Sequence, residues 1–369
     1  MSELQQAVSS LFQPFRSDRL NTDNRIVMAP MTRGYSPDGV PGDDVAAYYG
    51  RRAAHGVGLI ITEGTLIEHP AAGANPNWPH FFGHAALEGW SKAVKAVHAA
   101  GGKIVPQLWH VGMARKIGDL PNPDTLPIGP SGLDLTGEKV TQPLSENEIE
   151  ALISSYAQAA EDAVRIGFDG IELHGAHGYL IDQFFWGRTN RREDKYGGDL
   201  AARTRFAVEV IRACRRSVGP DFPIILRFSQ WKPSDYDAKL AETPAELDRF
   251  LAPLADAGVD VFHCSTRRYW EAEYEGSPLN LAGWTKKLTG KPTITVGSVG
   301  LDNEFRSSRG DTAQTAEIDD IAERLDRGEF DLVAVGRALL ANPDWAELIR
   351  SGRPGELKAY DTQVLRSLY

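Results

Sequence analysis

Cysteine is nearly absent from this chain: 369 residues contain only Cys214 and Cys264. Neither belongs to a Cys-x-x-Cys pair, so zinc ribbons and cysteine-ligated iron–sulfur clusters lack ligands. Two lone thiols build no disulfide framework, and a reducing cytoplasmic setting is expected. Positive charge is also short. Lys and Arg number 40 against 50 Asp and Glu, a net charge of −10. Nucleic acid wants a basic face, so no such partner is expected. The Arg188–Arg192 stretch runs straight into Glu193 and Asp194 and reads as a solvated loop. No run of 18 apolar residues is present, so no membrane partner or span is expected. The opening MSELQQAVSS has no basic stretch leading into an apolar core, and no signal peptide is expected. No Gly-x-Gly-x-x-Gly follows a strand-like run, which leaves no separate dinucleotide-binding domain. Linkers and low-complexity tracts are missing as well, so residues 1–369 are expected to form one domain.

What the chain does have is repetition of a simple kind. Eight short β-rich runs recur: 25–30, 58–66, 103–110, 167–174, 222–229, 259–266, 292–298 and 330–337. Most are unbroken Val/Ile/Leu stretches, as expected of strands buried on both faces of a parallel sheet. Helical segments lie between them. Ser145 followed by Glu148 is a capping box opening a helix to about Ile166. Thr243-Pro244-Ala245-Glu246 repeats that start signal, and Asn342-Pro343 predicts another. Strand and helix alternating eight times predict an α/β fold, a single (β/α)8 TIM barrel. The PFRSDRLNTDN stretch before the first strand predicts a small hairpin plugging the barrel bottom. Residues 111–144 form a long Pro- and Gly-rich connection after the third strand. A loop of that length predicts a lid over the catalytic mouth. A shorter irregular stretch, Asp302–Thr312, follows the seventh strand.

Chemistry in such barrels collects at the C-terminal strand ends. The fourth run ends in His174-Gly-Ala-His177-Gly-Tyr179, three hydrogen-bonding side chains within six residues. Its glycines let the backbone bend sharply and keep bulk away from a ligand. Other ends bring Thr32, Gln107 and Arg227. The seventh and eighth close with Gly297-Ser298 and Gly336-Arg337. Glycine-rich backbone, an arginine and a helix opening at Asn342-Pro343 suit a phosphate dianion. A phosphate-bearing ligand is therefore expected on one side, its polar edge lined by Thr32, Gln107 and Arg227.

Five stretches make the chain recognisable: NRIVMAPMTR, IITEGT, QLWH, IELHGAHGYLIDQF with TNRREDKYGG, and VGRALLANPDW. Together they resemble the old yellow enzyme family of FMN-dependent ene-reductases along the whole barrel. The resemblance implies non-covalent FMN, with NAD(P)H as reductant. Pro30, Met31 and Thr32 would run along the ring, Gly64 would touch it through backbone, and Gln107 would meet its pyrimidine edge. Arg227 would lie near N1, where reduced flavin gathers negative charge. Gly297, Ser298, Gly336 and Arg337 would hold the phosphate. His174 and His177 would grip a carbonyl or nitro oxygen of an activated alkene, and Tyr179 would protonate its α-carbon. A shared pocket for nicotinamide and enone implies ping-pong turnover.

The chain departs from the family pattern at Phe185-Trp186-Gly187-Arg188 and at Phe228-Ser229-Gln230-Trp231. Tyr35, Trp231, Tyr269 and Trp270 are the expected wall of the substrate mouth. Other activities stay open on this scaffold: oxidative demethylation, nitro or nitrate-ester reduction, or flavin binding without turnover. From a different chemical class, a metal-dependent barrel hydrolase would use His174 and His177 with His110 and Glu63 as ligands. Monomer and homo-oligomer both remain open.

Overall fold

Apolar runs bounded by turn residues become strands in the computed structural model, which describes residues 6–304 and 312–369. A hairpin comes first, β1 (Phe15–Arg16) antiparallel to β2 (Asn21–Thr22). There follow β3 (Ile26–Met28), β4 (Leu59–Leu66), β5 (Lys103–Trp109), β6 (Ile171–Gly175), β7 (Ile224–Ser229), β8 (Val261–Ser265) and β9 (Thr293–Val296). After β10 (Thr312–Ala313) come β11 (Leu332–Val335) and β12 (Tyr360–Asp361). Eight of these close into a parallel barrel in the order β11-β3-β4-β5-β6-β7-β8-β9, while β10 and β12 form a separate antiparallel ribbon. The expected (β/α)8 TIM barrel is the observed fold. Of the irregular stretch after the seventh barrel strand, residues 305–311 lie outside the described residues.

The two-residue period of each strand divides the core in two. One set of side chains, including Ile26, Ile60, Ile171, Leu173 and Val333, packs outward under the helices. The alternate set, Val27, Leu59, Ile61, Val105, Ile225, Val261, Ile294 and Leu332, fills the barrel interior. Phe15 and Leu20 of the hairpin join this inner cluster and are buried. They seal the floor, as the sequence predicts. Continuing the same inward alternation upward brings Gln107, Glu172, His174, Arg227, His263 and Ser265, all buried and all polar. The interior is therefore apolar at the base and polar at the top.

Helix starts follow their signals. Ser145 Oγ accepts the Glu148 N–H and the Glu148 carboxylate accepts the Ser145 N–H, opening Glu146–Ile166. Thr243 caps Pro244–Ala257 in the same way through the Glu246 N–H. Asn342-Pro343 behaves otherwise. A short helix, Arg337–Ala341, ends at Asn342, and the next, Trp345–Arg350, opens after Asp344. The Asn342 amide is occupied with the Ala338 carbonyl and both backbone groups of Lys358, so it closes one helix rather than starting another.

Residues 111–144 carry a single 3-10 turn at Gly112–Ala114 and an isolated bridge between Leu133 and Lys139. Buried Arg115 gathers this loop by donating to the carbonyls of Thr125, Asp119, Asn122 and Gly73. Arg192 donates to Pro130 O at 2.6 Å and Leu144 O at 2.5 Å, fastening the other end.

Candidate active site

Parallel register sets His174 of β6 beside Arg227 of β7, and Arg227 beside His263 of β8. Just beyond β6 the chain turns through two left-handed residues, His177 (φ 62°) and Gly178 (φ 74°). Glycine adopts this conformation freely. A histidine there costs roughly 1–3 kcal/mol and persists only when its surroundings enforce it. Here the His177 N–H donates to Ser229 Oγ (3.0 Å) and the Gly178 N–H to Asp182 Oδ2 (2.7 Å).

The turn presents His174, His177 and Tyr179 to a cavity of about 380 Å³ at the C-terminal mouth of the barrel. The rings stand edge to face: His174 and His177 centroids are 5.2 Å apart, and His174 and Tyr179 are 4.9 Å apart. Trp109 braces Tyr179 from one side (5.0 Å) and Trp231 packs on His177 from the other (4.7 Å). The Ala176 N–H approaches His174 Nδ1 at 3.4 Å, which assigns the His174 proton to Nε2. His177 Nε2 lies 2.8 Å from Ser265 Oγ, and Arg227 Nη2 donates to the same hydroxyl at 3.5 Å.

Burial, above all, pushes the His174 and His177 imidazoles well below the usual histidine range, and the Arg227 guanidinium adds to the effect. Both rings are neutral at physiological pH, each with one N–H to donate. Burial raises the Tyr179 hydroxyl, with Arg227 pulling back, so Tyr179 keeps its proton. Two neutral imidazoles and a retained phenolic proton thus face one space.

Below them sits a buried polar layer. Gln107 Nε2 donates to Glu172 Oε1 (2.8 Å), and His263 Nδ1 meets Glu172 Oε2 (2.7 Å). That bond uses one of the two Gln107 amide N–H groups and leaves the other N–H and the amide oxygen for a ligand. Arg227 Nε is buried with no hydrogen-bond partner among the described residues, a donor left over for a ligand. The opposite wall carries Gly297, Ser298, Gly336 and Arg337. A Cβ on Gly297, whose φ is 147°, would lie 2.7 Å from Thr266 Oγ1. Ser298 is left-handed too (φ 54°), and its hydroxyl is turned to backbone carbonyls of Arg267 and Asn303. Arg337 donates to Ser298 Oγ and to Asn303 O. The helix opening onto this wall starts at Gly336-Arg337, not at Asn342. An orphaned arginine N–H at one end and a side-chain-free cradle with arginine at the other fit an anionic ring system with a phosphate tail.

Pro30, Met31 and Thr32 also line the cavity, as does Trp231. Four predicted residues stand apart. Gly64 lies behind Trp109, whose ring would be 2.6 Å from a Cβ there; its bareness makes room for the indole. Tyr35 turns its hydroxyl to Leu365 O (2.9 Å). Tyr269 is buried beside Trp270, and its N–H pins Gly297 O at 3.1 Å. Trp270 lies off the cavity wall and is partly exposed. No residue of 111–144 lines the cavity; Tyr360 and Leu365 do.

Ser265 and these C-terminal residues escaped sequence reasoning, and Glu172 entered it only as a possible partner of Arg227. Glu172 left a signal, a carboxylate inside an apolar strand. His110 and Glu63 do not join His174 and His177: His110 pairs with His69 (3.1 Å), and Glu63 accepts the Arg33 and Gly34 N–H groups. Among the described residues no group of three or more His, Cys, Asp or Glu side chains gathers to hold a metal. Likewise, no helix among them is long and apolar enough to cross a membrane.

Residues 10–356 match the model of the NADH:flavin oxidoreductase / NADH oxidase family. An NADH oxidase of Thermoanaerobacter brockii is 37% identical over 360 residues, 95% of this chain but 52% of that protein, so the chain spans about half its length. The 12-oxophytodienoate reductase 7 of Oryza sativa subsp. japonica is 34% identical over 94% of this chain and 89% of its own. Morphinone reductase in complex with tetrahydroNAD superposes with a TM-score of 0.80 at 31% identity, covering 96% of this chain and 94% of that one.

Proposed function

Because this chain belongs to the NADH:flavin oxidoreductase / NADH oxidase family, the old yellow enzymes, and is an oxidoreductase of that type, we propose that it is an FMN-dependent ene-reductase. Its substrates in this reading are activated alkenes, α,β-unsaturated carbonyl or nitro compounds. FMN would be held at its pyrimidine edge by Gln107, Arg227 and Thr32, along its ring by Pro30 and Met31, and at its phosphate by Gly297, Ser298, Gly336 and Arg337. When bound, it supplies a two-electron carrier that NAD(P)H charges and the alkene's β-carbon discharges, in ping-pong order.

The observation that carries the reading is the placement of His174, His177 and Tyr179 together on one cavity. As hydride reaches the β-carbon, negative charge builds on the substrate oxygen. The two imidazole N–H groups would stabilise that charge more in the transition state than before it. Tyr179 would then deliver its proton to the α-carbon as general acid. Trp231 would border the substrate.

Tyr179→Phe tests this directly. Flavin content and reduction by NADH should persist, while enone turnover under single-turnover conditions slows by roughly 10²–10⁴. Equal slowing of both half-reactions would remove Tyr179 from the proton step.

A further inference from the structure

Lys232 and Asp182 are both fully buried, and Lys232 Nζ donates to Asp182 Oδ2 at 2.9 Å. The same ammonium donates to Ser229 O (3.0 Å) and Gln230 O (2.9 Å) at the end of β7. The same carboxylate oxygen accepts the Gly178 N–H. Ser229, gripped through its carbonyl, offers Oγ to the His177 N–H. Both backbone N–H groups of the left-handed His177–Gly178 turn therefore end on Asp182 or on a residue held by Lys232, while Gln183 Nε2 holds the Gly178 carbonyl (2.7 Å) and Ser265 meets the His177 ring. A buried ion pair rarely adds net stability over apolar residues of the same size, so its retention needs another reason. Asp182 lies inside the IELHGAHGYLIDQF motif that matches the family pattern, while Lys232 borders a stretch that departs from it. Lys232 directly follows Trp231, and its ammonium lies 5.9 Å from the Trp186 ring of the other divergent stretch.

We propose that Lys232 and Asp182 are the positioning pair of this active site, clamping the His177–Gly178 turn so that the His177 ring stands where a substrate oxygen arrives. This rests on the role of His177 proposed above. The turn is strained and cannot hold itself. Asp182 anchors its second amide, and Lys232 ties that anchor to the end of the neighbouring strand. Burial above all keeps His177 neutral, and the Lys232 ammonium joins the Arg227 guanidinium in adding to that effect, so the group that places the ring also supports its charge state.

The test uses the flavin-loaded protein and two double variants that leave no lone buried charge. Asp182→Ala with Lys232→Met removes the clamp; Asp182→Asn with Lys232→Met returns an acceptor for the Gly178 N–H. Amide hydrogen exchange across 174–182 and the kcat and KM for 2-cyclohexenone are read on each. The first variant should exchange at least tenfold faster at 176–179 than wild type, against a near-unchanged barrel. Its enone kcat should fall about 100-fold, the cost of an ångström-scale misplacement. The second should recover part of both. Exchange raised evenly over the barrel, or kcat and KM within twofold of wild type, overturns the positioning role. His177→Ala serves as the control. If it keeps wild-type enone turnover, the role of His177 is refuted, whatever the clamp does to exchange.

Discussion

Glu63 sits within β4, where its register against β5 shifts, is buried, and accepts the N–H groups of Arg33 (2.8 Å) and Gly34 (3.0 Å), the residues that follow Thr32. Burial drives its carboxyl up from 4.5 to about 7, with the two N–H donors pulling back. Between those two values the folded chain holds a proton that the unfolded chain has lost. Stability from this group is therefore complete below pH 4.5, falls as pH rises toward 7, and is level above it. Glu63→Gln should erase that slope. Urea unfolding across pH 4.5–8 should show the variant gaining on wild type by about 3 kcal/mol over the window; a constant difference would contradict the assignment. Residue-scale logic also governs the imidazoles. Replacing His174 or His177 by Ala should leave flavin bound and cut enone turnover by roughly 10²–10³, the usual effect of losing one oxyanion donor. Wild-type rates in both variants would make the turn merely structural.

Elements differ in how much of themselves they wrote into the sequence. The barrel strands are legible as unbroken Val/Ile/Leu runs because both faces of a parallel barrel strand are buried, and the two-residue alternation of the backbone then sorts each run inward and outward. Ile225, Arg227, Ser229 and Val261, His263, Ser265 march inward in step, so the polar top layer could have been counted off the same pattern. The hairpin was legible for a related reason: two apolar residues, Phe15 and Leu20, bracket an otherwise polar turn. Both end in the inner cluster. Phe15→Ala should cost about 3–5 kcal/mol by opening a cavity at the barrel floor. Thermal unfolding would register the loss, while the enone KM of the folded protein stays put, because the floor and the mouth are at opposite ends. Asn342-Pro343 was misread because a proline in the first turn and a side-chain amide closing the previous helix look alike in one dimension. The amide's partner, Lys358, is not yet in sight at that point of the chain.

At the scale of the whole molecule, what the sequence hid is contact between distant segments. Arg33 donates to Val364 O (3.2 Å) and Ser367 O (2.7 Å), Tyr35 to Leu365 O, and buried Arg52 to Tyr369 O (2.7 Å). Over three hundred residues separate these partners, and no local pattern records such pairings. An aromatic after the first barrel strand invites the reading of Tyr35 as a substrate wall. In the fold it holds the segment that is the wall, since Leu365 and Tyr360 face the cavity where Tyr35 does not. Two substitutions separate these roles. Leu365→Trp puts a larger ring at the mouth and should lower kcat/KM for bulky enones several-fold more than for 2-cyclohexenone. Tyr35→Phe removes one donor to the segment without touching the cavity, and should shift the same ratio in the opposite sense by loosening the wall. Steady-state comparison of one small and one bulky enone decides it. A ratio unmoved in Leu365→Trp would show that substrates enter past some other edge of the barrel.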